Sequence, residues 1–315
     1  MMKKCAIISG MILMCLTGPS SAADLPEKVP DGLYEEFYAT GELKRLLTYK
    51  DGIPNGPFNI YFKSGVLQGE GLYLDGKMQG IARGYYADST RKIEAEYDNG
   101  QLHGLIRTFD PDGKLVSEAR YKRGKLDGLS IDYRPNGLPL FVRNYEDGIQ
   151  QGTSREYSPT GVVVREADYI SGIQKGLVRE FDLEGNMVKS YEAYDGAADG
   201  LCRNFYPTGE LRSKATLTEG EMWNTEYIEY YPSGTLKQKY QVMRGRREGL
   251  FQEFHENGNL KTAGQFMNNR REGLFKLYSA DGHLLSEIDY REGNQQLTRV
   301  YDQSGRLIDE KKGQQ

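Results

Sequence analysis

Five arginines recur at one spacing. Arg83, Arg107, Arg155, Arg179 and Arg203 lie 24 or 48 residues apart, and an aromatic follows each two residues later: Tyr85, Phe109, Tyr157, Phe181 and Phe205. In an extended chain, residues i and i+2 share a face, so each guanidinium and its ring point the same way. Such a row can grip an elongated ligand, a glycan or a peptide strand, through cations and ring faces. It can equally be structural, each guanidinium stacking on a ring and pairing with an acid of its own sheet. Long repeats commonly need such rows for structure, which favours the second reading. These ten residues are the candidate binding face.

Other chemistry has little to stand on. His103, His255 and His283 are the only histidines, and they fall at three different places in the repeat. With Cys202 solitary in the chain beyond the N-terminal segment, no zinc-ligand spacing arises. The strand position of Cys202 suits a small packing residue better than a reactive thiol. Asp110-Pro111-Asp112-Gly113 begins like a calcium loop but lacks the remaining ligands, and a turn explains it. No nucleophile elbow or acid–base pair stands out. The expectation is a non-enzyme without metal or cofactor.

What positions the arginines is a repeat. FYATGEL at 37–43 and FYPTGEL at 205–211 agree at six of seven letters, and the frame between them is 24 residues. Glycines mark it at 32, 56, 80, 104, 128, 152, 176 and 200; after an insertion near Met222–Asn224 it resumes at Thr225, Gly249 and Gly273, and a partial copy begins at Gln296. A first aromatic (Phe37, Tyr61, Tyr85 and so on to Tyr301) stands in every unit. Gly follows it four residues later, except at Ser89; a second aromatic, usually Tyr, comes eight residues after that, then a second Gly, replaced once by Asn269. Each unit therefore reads as two strands and two turns. Pro111, Pro135, Pro159, Pro207 and Pro232 stand two residues before the first Gly, where they preset a type I turn that the left-handed Gly completes. Asn269 at the second Gly position also points to a left-handed residue. The fold expected is all-β: an elongated antiparallel β-meander array of about eleven 24-residue hairpin units plus a partial twelfth.

Alternation suggests one aromatic face and one charged face. Small residues two before the second aromatic (Gly71, Ala95, Ala119, Ala167, Ala215, Gly264) would let rings close over the sheet. Tyr34, Tyr38, Phe58 and Phe62 lie away from the first aromatics, as a cap contact or an exposed docking patch.

Composition fits this picture. Gly is 38 of 315 residues, Tyr 23 and Trp 1, with 38% hydrophobic content: many turns and a thin, aromatic core. The N-terminus reads as a secretory signal peptide over 1–23: Lys3 and Lys4, an apolar run from Cys5 to Gly18 too short to span comfortably, and small residues ending at Ala23. Met14 before Cys15 argues against lipid anchoring. Cleavage removes two lysines and no acid, so the mature charge is more negative than the formal −4 of the whole chain. That disfavours nucleic acid and anionic membranes as main partners. A linker at 24–31, the array at 32–309 and a disordered tail at 310–315 complete the expected organisation, exported to the periplasm or beyond, with no integral membrane segment after cleavage.

Units such as GLIRTFDPDGKLVSEARYKRGKLDG at 104–128 resemble the bacterial MORN-repeat variant family, and the resemblance covers nearly all of 32–309. Ser89, the insertion near Trp223, Asn269 and the swapped Ala193/Tyr194 depart from the pattern. The resemblance implies protein binding and, since such bacterial members are often antitoxin-like, neutralisation or immunity toward a toxin. VYDQSGRLIDEKKG at the end also resembles a YD repeat, so a YD-repeat-like shell fragment is an alternative. Tyr-rich faces also suit a binder of cell-wall or surface carbohydrate.

Overall fold

The computed structural model describes residues 30–313; the expected signal peptide, with Cys5 and Cys15, lies outside them. The chain forms two compact units, the first ending at Gly161 and the second starting at Val162. Among the described residues there is no helix. The first unit holds thirteen strands, from Gly32–Phe37 to Gly152–Tyr157, and the second fourteen, from Val163–Ile170 to Leu307–Lys312. Within each unit successive strands pair antiparallel, with short pieces such as Lys77–Met78 and Gly80–Tyr85 sharing one neighbour, Leu67–Leu74, which makes a meander.

Two turn types alternate. At the first, Gly113 N–H donates to Asp110 O and Asp110 N–H to Lys114 O, both at 2.9 Å, and Gly113 has φ 77°. This is the expected type I turn with its left-handed glycine. Ser89 takes the same place with φ 71°. At the second turn two residues are left-handed, as in Asn99 (φ 49°) and Gly100 (φ 80°), giving the type I′ hairpin whose twist matches that of its strands. Asn268 (φ 51°) and Asn269 (φ 68°) do the same without glycine. The frame-marking glycine has its own reason. Between the strands Arg91–Asp98 and Gln101–Phe109, Ala95 faces Ile106 and Tyr97 faces Leu102, so three residues bulge opposite Glu96. Gly104 sits in this bulge at φ 111°, and a Cβ there would come within 1.9 Å of Glu96 Oε2.

The two aromatic rows lie on opposite faces, which corrects the single aromatic face expected from alternation. Arg107 faces Glu94 on one neighbour and Glu118 on the other, while Ile106 faces Ala95 and Ala119. The first aromatic, Phe109, therefore belongs with the charges, and the second, Tyr121, with the alanines. The cause is the register shift between Thr108 and Phe109 beside the first turn. A shift of one residue exchanges faces.

The apolar face is the core. Ala95, Ala167 and Val178 are at most 1% exposed, Ile106 3% and Tyr121 8%. Volumes complement across strands. Ile106 lies between two alanines, whereas the Phe58 ring covers Gly71 and the Phe275 ring covers Gly264. The expected role of the small residues is thus met. Phe58 is a core residue at 3% exposure, and Tyr34 sets its ring edge-on to Tyr49 at 5.7 Å; neither forms a docking patch. In the second unit the rings run continuously, from Tyr227 on Tyr240 (4.9 Å) to Phe275 on Tyr290 (5.3 Å). Cys202 is buried in the same layer, and burial pushes its thiol pKa up.

Side chains next to the first aromatics tie several repeats to the one that follows. Tyr38 and Tyr86 hydroxyls donate to the carbonyls of Tyr61 and Phe109 at 2.7 and 2.9 Å. Tyr206 and Tyr231 reach Tyr230 and Phe254 likewise in the second unit, at 2.9 Å. The end of the chain differs from expectation: residues 310–312 are not a disordered tail but complete the strand Leu307–Lys312. It pairs with Asn294–Tyr301, placing Glu310 opposite Arg299.

Two outcomes follow for stability. Gly264→Ala places a methyl 2.6 Å from the Phe275 ring and should destabilise the protein by about 1–3 kcal/mol in denaturant unfolding, with partial recovery in the double variant carrying Phe275→Leu. Ser89→Gly removes a left-handed non-glycine residue and should stabilise by about 0.5–1 kcal/mol in the same assay.

Candidate functional site

The arginine row crosses the strands in strict register. In the first unit the facing residues read Leu46, Asn59, Glu70, Arg83, Glu94, Arg107, Glu118, Ile131, Val142 and Arg155. Acid and base alternate through its middle. Arg83 donates through Nε to Glu94 at 2.8 Å and lies 3.6 Å from Glu70. Arg107 bridges Glu94 and Glu118 at 3.5 Å each. Arg91 adds a third cation to Glu94 at 3.5 Å and holds its guanidinium 5.8 Å from the Phe109 ring centre.

The first aromatics lock into this ladder. Tyr85 OH donates to Glu70 at 2.7 Å and Tyr133 OH to Glu118 at 2.8 Å. Burial, and then the bond to Glu118, push the Tyr133 phenol up to about 12. Burial also works against ionised Glu94, but the Arg83 hydrogen bond and the charges of Arg91, Arg83 and Arg107 outweigh it, leaving the carboxyl below its ordinary 4.5. Isolated exposed pairs contribute about 0–1 kcal/mol each; a shared carboxylate with three cations, 15% exposed, belongs to a network and is worth more.

The second unit repeats the pattern in part. Arg179 lies 3.5 Å from Glu166, Lys276 3.2 Å from Glu287, and Arg299 2.8 Å from Glu310. Tyr301 OH donates to Glu287 at 2.8 Å. The row thus brings Arg83 and Arg107 into one network and pairs Arg179. Arg155 faces Val142 across the sheet and has partners of its own. Arg203 stands apart: exposed, it faces Ser190 and Lys214. Tyr85, Phe109, Tyr157, Phe181 and Phe205 are all half-buried along the same edge of the row.

Sequence reading missed the acidic half of the ladder. Its signal was present: a glutamate follows Arg83 and Arg107 by eleven residues, as Glu94 and Glu118, and precedes Arg83, Arg107 and Arg179 by thirteen, as Glu70, Glu94 and Glu166. It also missed a row of aliphatic residues on the other flank. Leu33 (63% exposed), Ile81 (45%) and Leu129 (50%) in the first unit, and Leu250 (66%) and Leu274 (42%) in the second, each stand two residues before the ladder residue of their strand and so share its face. The face therefore carries three stripes: aliphatic, charged, aromatic. Among the described residues no group of three or more His, Cys, Asp or Glu is placed to hold a metal ion, and no helix is long and apolar enough to cross a membrane.

Comparison with known proteins places the repeat. The MORN repeat variant model matches residues 30–51, 102–123, 198–218, 224–242, 247–268 and 271–292. Two of the matched segments lie in the first unit and four in the second. No curated protein matches it. Among solved structures it is similar to a chain of the crystal structure of TcdB2-TccC3-Cdc42, at 16% identity and a TM-score of 0.18. It is also similar to a chain of the Photorhabdus luminescens Tc holotoxin pore with a mutated TccC3, at 16% identity and a TM-score of 0.16. Each match covers 88% of this chain but only 17% of the other. TM-scores this low carry no inference about function.

The ladder sets a pH dependence. Folding lowers the pKa of Glu94, so the unfolded chain takes up the proton first. Its stabilisation is complete above the unfolded value near 4.5 and is lost as pH falls through the folded value. Glu94→Gln should cost about 1–2 kcal/mol at neutral pH. It should flatten the acid limb of a plot of Tm against pH, measured by calorimetry.

Proposed function

We propose that this chain is an exported, non-catalytic repeat protein that binds another protein through the three-striped face that each of its units carries. The observation that carries the reading is the aliphatic row. Leu33, Ile81, Leu129, Leu250 and Leu274 remain 42–66% exposed at one repeated position although the opposite face offers a core. Within a unit, aliphatic residues held in line beside charges and rings supply the apolar area and polar register that a protein interface uses. The tying of tyrosine hydroxyls to Glu70 and Glu118 favours a protein over a sugar, because those hydroxyls are not free to meet one. Export rests on the basic start and short apolar run of the first 23 residues. Neutralisation of a toxin by binding is the narrower form of the reading and rests on the resemblance to antitoxin-like members.

The test is a pull-down from envelope extract and culture supernatant with the full chain expressed with its own N-terminus, beside a variant carrying Ile81→Glu, Leu129→Glu and Leu250→Glu. One protein retained near stoichiometry, and lost with the variant, is the expected result. Retention on wall material with no protein partner would instead make the chain a carbohydrate binder.

A further inference from the structure

At one place in the ladder like charge faces like charge. In register from Glu166 the row reads Glu166, Arg179, Ser190, Arg203, Lys214, Ile228, Lys239 and Gln252. At three other arginines of the row a glutamate stands opposite: Arg83 faces Glu94, Arg107 faces Glu118 and Arg179 faces Glu166. Here Arg203 faces Lys214 directly. Like charges directly opposed in an antiparallel pair are destabilising.

None of Arg203, Lys214 and Lys239 has a carboxylate partner among the described residues. The Lys214 nitrogen rests 5.9 Å from the Tyr230 ring centre, and Arg203 is exposed. Glu192 and Glu226 stand in the flanking rows of the same face, but neither forms an ion pair with the three cations. A chain of net charge −4 therefore keeps three unneutralised cations within four consecutive places of the row, and two of them, Lys214 and Lys239, stand where other repeats place Glu70, Glu94, Glu118, Glu166 and Glu287.

We propose that Arg203, Lys214 and Lys239 bind an extended, acidic peptide segment of a partner protein; the idea deepens the protein-binding reading above and rests on it. Self-repulsion in the free protein becomes attraction when carboxylates arrive. Arg203 can take one in the two-point geometry that guanidinium favours, and the lysines act as point charges. Spacing sets the ligand. Strands lie about 4.8 Å apart, so Arg203 and Lys239, three strands apart, are separated by roughly 14 Å. A peptide running across the strands at about 3.4 Å per residue covers that in four residues. Carboxylates at i and i+4, which share one face of an extended peptide, then meet Arg203 and Lys239, and Lys214 lies between them. Three cations make too short a track for a nucleic-acid backbone. The Tyr230 and Phe205 rings border the site and supply apolar contact beside the charges.

The probe is a fluorescent peptide of alternating glutamate and threonine, titrated with the full-length protein at low salt and followed by anisotropy. Lys214→Glu recreates the Arg–Glu pair found at Arg107 and Glu118. It should raise the melting temperature while weakening peptide binding by about tenfold or more, and added salt should weaken wild-type binding. Lys239→Gln should weaken binding without touching the Arg203–Lys214 pair, and Lys50→Glu, in the first unit, should leave it unchanged. Absence of peptide binding at low salt would overturn the proposal, as would undiminished binding by Lys214→Glu. So would binding of heparin but not of the peptide, which would assign the cations to a sulfated glycan. If the peptide fails while the pull-down still retains a protein partner, the acidic-segment proposal falls and the broader interface stands.

Discussion

Everything in this protein hangs on the register of one strand against the next. A hairpin of this kind cannot cover its own apolar face; only the neighbouring hairpin can. Turns fix the register at both ends of a strand such as Gln101–Phe109. At one end stands the type I′ turn, exemplified by Asn99 and Gly100; at the other, the type I turn with its one-residue shift between Thr108 and Phe109. That shift decides which side chains share a face. Without it Arg107 would face Ser117 and Ile106 would face Glu118, and neither a core nor a ladder would form.

With register fixed, each face finds its own balance. On the core face it is volume. A ring lies over glycine, as Phe275 over Gly264, and a branched aliphatic lies between alanines, as Ile106 between Ala95 and Ala119. No single choice of residue is required, only that facing positions add to a similar bulk. On the other face the balance is charge. Glu94 takes three arginines and Tyr85 and Tyr133 cap the adjoining glutamates. The hydroxyl ties from Tyr38, Tyr86, Tyr206 and Tyr231 to carbonyls one repeat on add neutral hydrogen bonds that hold the turn ends in line. Those ties need no burial to act, and they suit a sheet with a thin core.

Much of this was legible from the residues. Gly and Pro fix turns through backbone geometry that any context respects, so the two turns, the frame and the left-handed place of Asn269 could be read directly. The glycine at the start of each repeat could be counted but not explained, because the bulge opposite Glu96 exists only once two strands are paired. The face assignment went wrong for a related reason. Alternation within a strand is local, but phase between strands depends on whether the turn carries an extra residue, and that residue leaves no mark of its own in composition. The arginine row was visible, and its structural role at Arg83, Arg107 and Arg179 agrees with the reading that each pairs with an acid. The glutamates were passed over because they seemed to belong to the other face. Phe58 was misplaced by the same parity.

A repeat array also separates where stability is made from where it can be given up. Each strand interacts with its immediate neighbours, so a local loss is not transmitted along the sheet. The pair Arg203 and Lys214 is such a loss: Cys202 and Ala215, beside them in sequence and facing each other on the core side, are both buried at 7% exposure. The same two strands are thus well packed on one face and self-repelling on the other. In a compact single core, a like-charge pair of that kind would weaken the whole domain. In a meander it weakens one rung, and the rungs around Glu94 and Glu287 keep their own pairs. Departure from the repeat is therefore cheap here in a way it is not elsewhere, and a position where the chain departs on one face while holding to pattern on the other is where function can be sought.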